Sequence, residues 1–401
     1  MRIFRNVRSL LGLPDTLEHN IEASSLQQVP APEQQPYGGR PVPPEASRDP
    51  NDSDCLAEWF DQYIIVPCDG NSVIVFHRWF QAEDPQTHEV VYHEYATDAR
   101  SAEETNWIAR LDDTNRIYQH TFSTSDDSHP RIVRYLGRTV GGYKLERLHP
   151  GPAYAGDTFP SPDINDAVLA LYQRWGLQTL NALDYIHSKG VVLNALTTLA
   201  LWLREDYSIA IAGCVAAACN ELQIEEGHWG TMSLESYSNP WSDQIDGTKT
   251  RKKAHTQSQG EEEIEFEQYY DAQPKRDLFD WAVWMCSTMI GKSPVEHGMT
   301  WTRQDMEFFD ELQPRLDMVA GGQYKDWPVL PDEQLGPVIT KALRGEYDTA
   351  KQALEEIRKL LQACGRTLST TQCDEIDGFE WEKEFFVEGE GAYQELRVRK
   401  H

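Results

Sequence analysis

Residues 185–219 constrain this chain more than any other stretch. Positions 191–203 read Val-Val-Leu-Asn-Ala-Leu-Thr-Thr-Leu-Ala-Leu-Trp-Leu, an apolar run interrupted by Asn194, Thr197 and Thr198. A membrane-spanning helix needs roughly 18 apolar residues, so this run is too short and too broken to cross a bilayer. It must be covered by the rest of a folded domain. The segment ahead of it, Tyr185-Ile186-His187-Ser188-Lys189, reads as a helix end, and Gly190 supplies the turn. Glu205 and Asp206 mark a short hairpin, and a loop follows. These two acids are the only carboxylates between Lys189 and Cys219.

The chain has 401 residues, room for one large domain or two modest ones. A hydrophobic share of 40% supports a sizeable core. The net charge of −28 argues against a nucleic-acid partner, whose phosphates need a basic footprint, and against a general affinity for anionic membranes. Its first consequence is solubility. Seven cysteines (Cys55, Cys68, Cys214, Cys219, Cys286, Cys364, Cys373) are scattered with no CxxC spacing. Neither a zinc site nor a disulfide framework is suggested, and a cytoplasmic or nuclear location fits.

Residues 1–55 read as a disordered, Pro/Gln-rich arm. Its first 13 residues carry Arg2, Arg5 and Arg8 beside Ile3, Phe4, Val7, Leu10 and Leu11 at helical spacing. A targeting or docking helix is one reading, and a short arm packed on its own domain is favoured. Residues 24–54 hold too little apolar area to offset chain entropy.

Residues 56–148 read as a small β-rich unit. Tyr63-Ile64-Ile65-Val66 and Val73-Ile74-Val75-Phe76 are short strands around a turn over 67–72. Residues 89–95 are the next strand, 102–120 a helix, and 129–148 a strand, turn and strand. From residue 161 the chain turns helical. Tyr172, Trp175, Leu180, Leu183 and Ile186 form one apolar stripe, and Leu278, Trp281, Ala282, Met285 and Met289 form another. Leu354, Ile357 and Leu361 carry a last stripe that Gly365 can end. The basic block at 249–253 and the acidic block at 261–267 mark 239–268 as a low-complexity insertion, expected to be a solvated loop. Residues 366–401 form an acidic-aromatic tail. It either binds a partner or docks back on the chain.

Several motifs together resemble the protein kinase-like superfamily, fungal-type members included. His129-Pro130-Arg131-Ile132-Val133-Arg134-Tyr135-Leu136-Gly137 resembles the family's H-P-N-I-V-R-Y-L-G segment. Lys275-Arg276-Asp277-Leu278-Phe279 resembles the K-S-D-V-F helix start, and Gly291-Lys292-Ser293-Pro294 resembles its T-G-K-x-P end. The resemblance covers about residues 58–362. It implies an α+β, bilobal kinase-like fold: a small β-rich N-lobe over 56–148 and a larger, mostly helical C-lobe over 149–365.

The family's chemical residues are missing from the positions that the resemblance assigns to them. The loop H-R-D-L-x-x-x-N falls on Leu193, Asn194 and Ala195, then Leu196, with its asparagine at Ala200. The D-F-G motif falls on Gly213, Cys214 and Val215. A catalytic base and the magnesium ligands need side-chain oxygen, which Ala195, Ala200 and Gly213 lack. The glycine-rich phosphate loop falls on Cys68, Asp69, Gly70, Asn71 and Ser72, with only Gly70 retained. The phosphate-binding lysine falls on His93 or Glu94, the glutamate that pairs with it at Thr114, and the hinge on Glu146, Arg147 and Leu148. Asp277 matches the structural aspartate that holds the catalytic loop.

The implied function is that of a pseudokinase, a scaffold or allosteric regulator of an unidentified protein partner. The alternatives are a kinase with residual or atypical phosphotransfer and a nucleotide or small-molecule sensor without catalysis. No metal is expected, and no cofactor beyond a possible magnesium-free ATP.

Overall fold

The computed structural model describes residues 57–59, 63–77, 81–83, 90–92, 102–122, 129–139, 142–152, 159–163, 165–194, 196, 200–214, 217–219, 221–222, 224, 262–299, 306–320, 322–369, 374–388 and 395–400. The basic block at 249–253 and the N-terminal arm lie outside them. Helices mix with several small sheets, so the chain is α+β.

Five antiparallel strands form the largest sheet. In chain order they are β1 (Ala57–Trp59), β2 (Tyr63–Asp69), β3 (Ser72–His77), β6 (Tyr135–Thr139) and β7 (Gly142–Glu146), arranged β1-β2-β3-β7-β6. Alternation places Val73, Val75, Tyr143 and Leu145 on the buried face. In register, Val73 faces Leu145 and Val75 faces Tyr143. The β2–β3 turn is tighter than its composition suggests. Asp69 pairs with Ser72 across Gly70 and Asn71, and a register shift between Pro67 and Asp69 absorbs the proline that cannot donate to the ladder.

The strand expected over 89–95 is β5 (Val90–Tyr92). Among the described strands it pairs only with β4 (Gln81–Glu83) and does not join the five-stranded sheet. Strand β7, which leads into the residues expected to be the hinge, lies between β3 and β6.

Helix α1 (Ala102–Thr121) follows β5. Helix α2 (Asp166–Ser188) starts at Asn165, whose side chain accepts from Val168 N–H. Every residue of α2 from Ala170 to Leu180 is buried, so neighbours surround the helix. Gly176 lies at its centre. A Cβ there would sit 3.1 Å from Leu335 Cδ1 and 3.3 Å from Ile357 Cδ1. Close packing therefore accounts for a mid-helix glycine that costs about 1 kcal/mol against alanine.

Short strands flank α2, with β8 (Gly151–Pro152) before it and β9 (Val191–Val192), β10 (Leu201–Leu203), β11 (Ile209–Ile211) and β12 (Ala218–Cys219) after it. Strand β8 pairs with β10, which pairs with β11, while β9 pairs with β12. The hairpin expected around Glu205 and Asp206 is the β10–β11 turn, closed by Arg204 N–H donating to Ser208 O at 2.8 Å.

Helix α3 (Glu262–Ile290) begins inside the segment expected to be a solvated loop. Glutamate is a good helix former, so the acidic block extends the helix from its N-terminal side. Leu278, Trp281, Ala282, Met285 and Met289 are all buried, as their spacing predicts. Helices α4 (Met306–Ala320), α5 (Gly336–Leu343) and α6 (Ala350–Ala363) complete the helical part. Thr349 caps α6 by accepting from Gln352 N–H, and Gly365 follows at φ +84°.

A short helix α7 (Trp381–Glu384) leads into a hairpin of β13 (Phe385–Glu388) and β14 (Glu395–Val398). Phe385 and Leu396 belong to the same continuous apolar cluster as Trp175, Trp281 and Tyr143. The tail docks back on the chain.

Candidate functional site

The segment after β9 is held by one buried carboxylate. Asp277, fully buried in α3, accepts at Oδ1 from Asn194 N–H at 2.8 Å. Its Oδ2 accepts from Leu193 N–H at 2.9 Å and meets His187 Nε2 at 2.9 Å. Three partners offset the cost of taking a carboxylate out of water. Asn194 adopts φ +61°, the left-handed conformation that asparagine tolerates better than most residues. His187, in the segment that reads from sequence as a helix end, is the side-chain partner of Asp277.

Ala195, Val215, His93 and Glu94 lie outside the described residues. Ala200 and Gly213 face each other. A Cβ built on Gly213 would sit 2.8 Å from Ala200 Cβ, closer than real Cβ atoms approach. Ala212 N–H donates to Ala200 O at 2.7 Å and fixes the spacing. Neither position carries an oxygen-bearing side chain, and a side chain at Gly213 would require Ala200 or the backbone to shift. Gly213→Asp, which restores a carboxylate to the family pattern, is expected to destabilise the fold by about 1–3 kcal/mol through overpacking. It is also expected to create no magnesium-dependent stabilisation. Urea melts with and without magnesium chloride check both outcomes.

Helix α1 closes over the same strand end. Tyr118 donates its hydroxyl to Ala212 O, and its ring stacks on Tyr135 with centroids 5.2 Å apart. Tyr143 packs against it at 5.3 Å. Burial, with Cys214 close by, holds the Tyr118 hydroxyl well above its usual range, so it stays a donor. Thr114 Oγ1 donates to Cys214 O at 3.5 Å. Burial pushes the Cys214 thiol up to about 12, the Tyr118 hydrogen bond notwithstanding. A thiol so rarely ionised is a packing group rather than a nucleophile.

The residues expected to be the hinge are engaged within the chain. Glu146 N–H donates to Arg134 O, and Arg147 N–H donates to Asn71 O, both at 2.9 Å. Glu146 Oε1 accepts from Arg134 N–H and from Arg204 Nη2, each at 3.1 Å. The turn expected to bind phosphate therefore rests on residues 146–147: Ser72 pairs with Glu146, while Gly70 and Asn71 are exposed at the tip. Leu148 is buried. Strand β3, beside β7, offers Val73 and Val75 on its buried face, and neither residue carries charge.

Among the described residues, no group of three or more His, Cys, Asp or Glu side chains could hold a metal ion, and no helix is long and apolar enough to cross a membrane. Searches found no family model that matches this chain and no curated protein that matches it.

Sequence reasoning missed one cluster. Arg131, with 5% of its side chain exposed, pairs with Asp374 in the tail, and Arg174, with 2% exposed, pairs with Glu375. His129 stacks on Tyr185 at 4.7 Å beside them. Burial pushes the His129 imidazole down to about 4, with Asp374 opposing and Arg131 assisting. The unfolded chain, whose histidine titrates near 6.5, therefore takes up the proton first as pH falls. Between about pH 6.5 and 4 stability should fall with pH by about 1–2 kcal/mol, after discounting for the ring's partial exposure. His129→Asn, which keeps an acceptor for Arg131 N–H, is expected to flatten that slope in urea melts taken across the range.

Proposed function

We propose that this chain is a pseudokinase: a bilobal, kinase-like module that performs no phosphotransfer and acts as a scaffold or allosteric regulator of a protein partner. One observation carries the reading. Asp277 binds the N–H groups of Leu193 and Asn194, as a loop-holding aspartate should, while Ala200 and Gly213 pack against each other where metal ligands are required. The scaffold contact is kept and the chemical groups are replaced by small ones. Phosphoryl transfer depends on positioned metal and on an oxygen base, so a site lacking both has no route to the transition state. The contact from Arg147 to Asn71 supports the same reading, because an N–H of the expected hinge already has an acceptor within the chain.

The test is a phosphotransfer assay with γ-labelled ATP, magnesium or manganese, and both the protein itself and a generic basic protein as acceptors. The expected result is no incorporation above that of heat-denatured protein. Incorporation that rises with enzyme concentration would reinstate the kinase reading.

A further inference from the structure

The tail docks on its footprint in the manner of a bound peptide. Asp374 Oδ2 accepts from Arg131 Nε at 2.9 Å and from Asn181 Nδ2 at 2.8 Å, and its Oδ1 accepts from Arg131 Nη2 at 3.2 Å. Glu375 Oε2 accepts from Arg174 Nη2 at 2.9 Å, Gln178 Nε2 at 3.2 Å and Arg131 Nη2 at 3.4 Å. The Arg174 guanidinium lies 4.9 Å from the centroid of the Trp381 ring. Further along, Tyr207 donates its hydroxyl to Phe385 O at 3.2 Å, and the fully buried Phe385 ring lies 6.0 Å from that of Tyr207.

Three features set this contact apart from ordinary core packing. First, the tail's ladder is its own: among the described strands, β13 and β14 pair only with each other. Every hydrogen bond described between residues 374–400 and the chain before residue 366 uses a side chain. Second, Arg174 keeps a partner when the tail is absent, because Asp206 accepts from it at 3.0 Å through Oδ2 and at 2.7 Å through its carbonyl. Third, charge is complementary. Residues 374–388 hold seven acids against one lysine, and the footprint offers two buried arginines flanked by amides in a chain of net charge −28.

We infer that Arg131, Arg174, Gln178, Asn181 and Tyr207 form a receptor for an acidic-aromatic peptide, filled in cis by residues 374–385, and that a protein partner with the same pattern reaches it by displacing the tail. The recognised pattern is an adjacent Asp-Glu pair with a tryptophan six residues and a phenylalanine ten residues beyond the glutamate. The guanidinium groups read the carboxylate pair in bidentate fashion, and Arg174 reads the tryptophan face. A tethered tail competes at an effective concentration on the order of millimolar, so displacement takes a tighter or multivalent ligand, or a weakened tail. The inference does not depend on whether the cleft takes nucleotide.

The test uses the full chain and a fluorescein-labelled peptide with the sequence of residues 372–388. Anisotropy is measured with the wild type and with a D374N/E375Q variant whose own tail is loosened. The variant should bind the peptide at least about tenfold more tightly than the wild type, because its cis competitor is weakened. A peptide with the same two substitutions should lose at least about tenfold in affinity. A folded variant that binds no peptide would overturn the inference. Hydrogen exchange on the wild type covers the case in which the variant fails to fold. Amides of the β13–β14 ladder should exchange through a local opening, at least about tenfold less protected than those of α2. Equal protection would mean that the tail leaves only when the whole fold opens, and would equally overturn the inference.

Discussion

Asp277→Ala is expected to destabilise the chain by about 3–5 kcal/mol, the largest effect of any single substitution in the loop-holding cluster. The change strands the N–H groups of Leu193 and Asn194 in a water-free setting and leaves His187 Nε2 without its carboxylate. Each stranded donor costs about 1–3 kcal/mol, because its hydration was given up on folding. Asp277→Asn keeps the shape and one acceptor but turns an amide donor toward a donor, so roughly half that loss is expected. Urea denaturation followed by tryptophan fluorescence gives both values. The ordering also distinguishes a lost hydrogen-bond set from a cavity, since the asparagine variant creates no cavity.

The second large effect is expected at Arg131. Arg131→Met should cost about 3–5 kcal/mol, because it leaves the buried Asp374 carboxylate uncompensated. In the intact chain burial raises the Asp374 carboxyl, but the hydrogen bond and charge of Arg131, with the bond from Asn181, outweigh it and hold the group below its usual range. The pair's stabilisation is therefore complete above the ordinary carboxylate range and is lost as pH falls through the lower folded value. Asp374→Leu alone should cost a comparable amount by stranding Arg131, whose remaining partner is Glu375 at 3.4 Å. The double variant Arg131→Met/Asp374→Leu should recover most of the loss, because a packed apolar pair needs no desolvation. A coupling of at least about 2 kcal/mol in the double-mutant cycle is the expected readout.

The contrast between these clusters explains how much the sequence could reveal. Asp277 was singled out through the resemblance of Lys275-Arg276-Asp277-Leu278-Phe279 to the K-S-D-V-F segment, and Gly190 marked the turn that His187 and Asn194 flank. The buried stripes of α2, α3 and α6 were legible because a period of 3.6 residues is a local signal. Arg131 and Asp374 are 243 positions apart and leave no such trace. One clue was present. Arg174 and Gln178 are polar residues on an otherwise apolar helix, and a polar residue on a buried face must find a partner.

Strand pairing was the weakest part. The run at 90–92 has the composition of a strand, but composition does not choose a neighbour. That choice set β5 against β4 and left β3 beside β7. The opposed charge blocks were legible as a break in the apolar pattern. The helix that starts within the acidic block was not, because acidic residues suit both a solvated loop and the first turns of a helix.

The central claim is that the site holds a loop in place without offering nucleotide chemistry. The most direct measurement is a thermal-shift titration with ATP up to millimolar concentration, without metal and then with magnesium or manganese. A ligand that binds the folded state raises the melting temperature by mass action. The account predicts no shift under any of these conditions. A shift without metal would point instead to a nucleotide sensor. A shift that requires magnesium would contradict the account outright, because it would place working metal ligands in a site where Ala200 and Gly213 carry no side-chain oxygen.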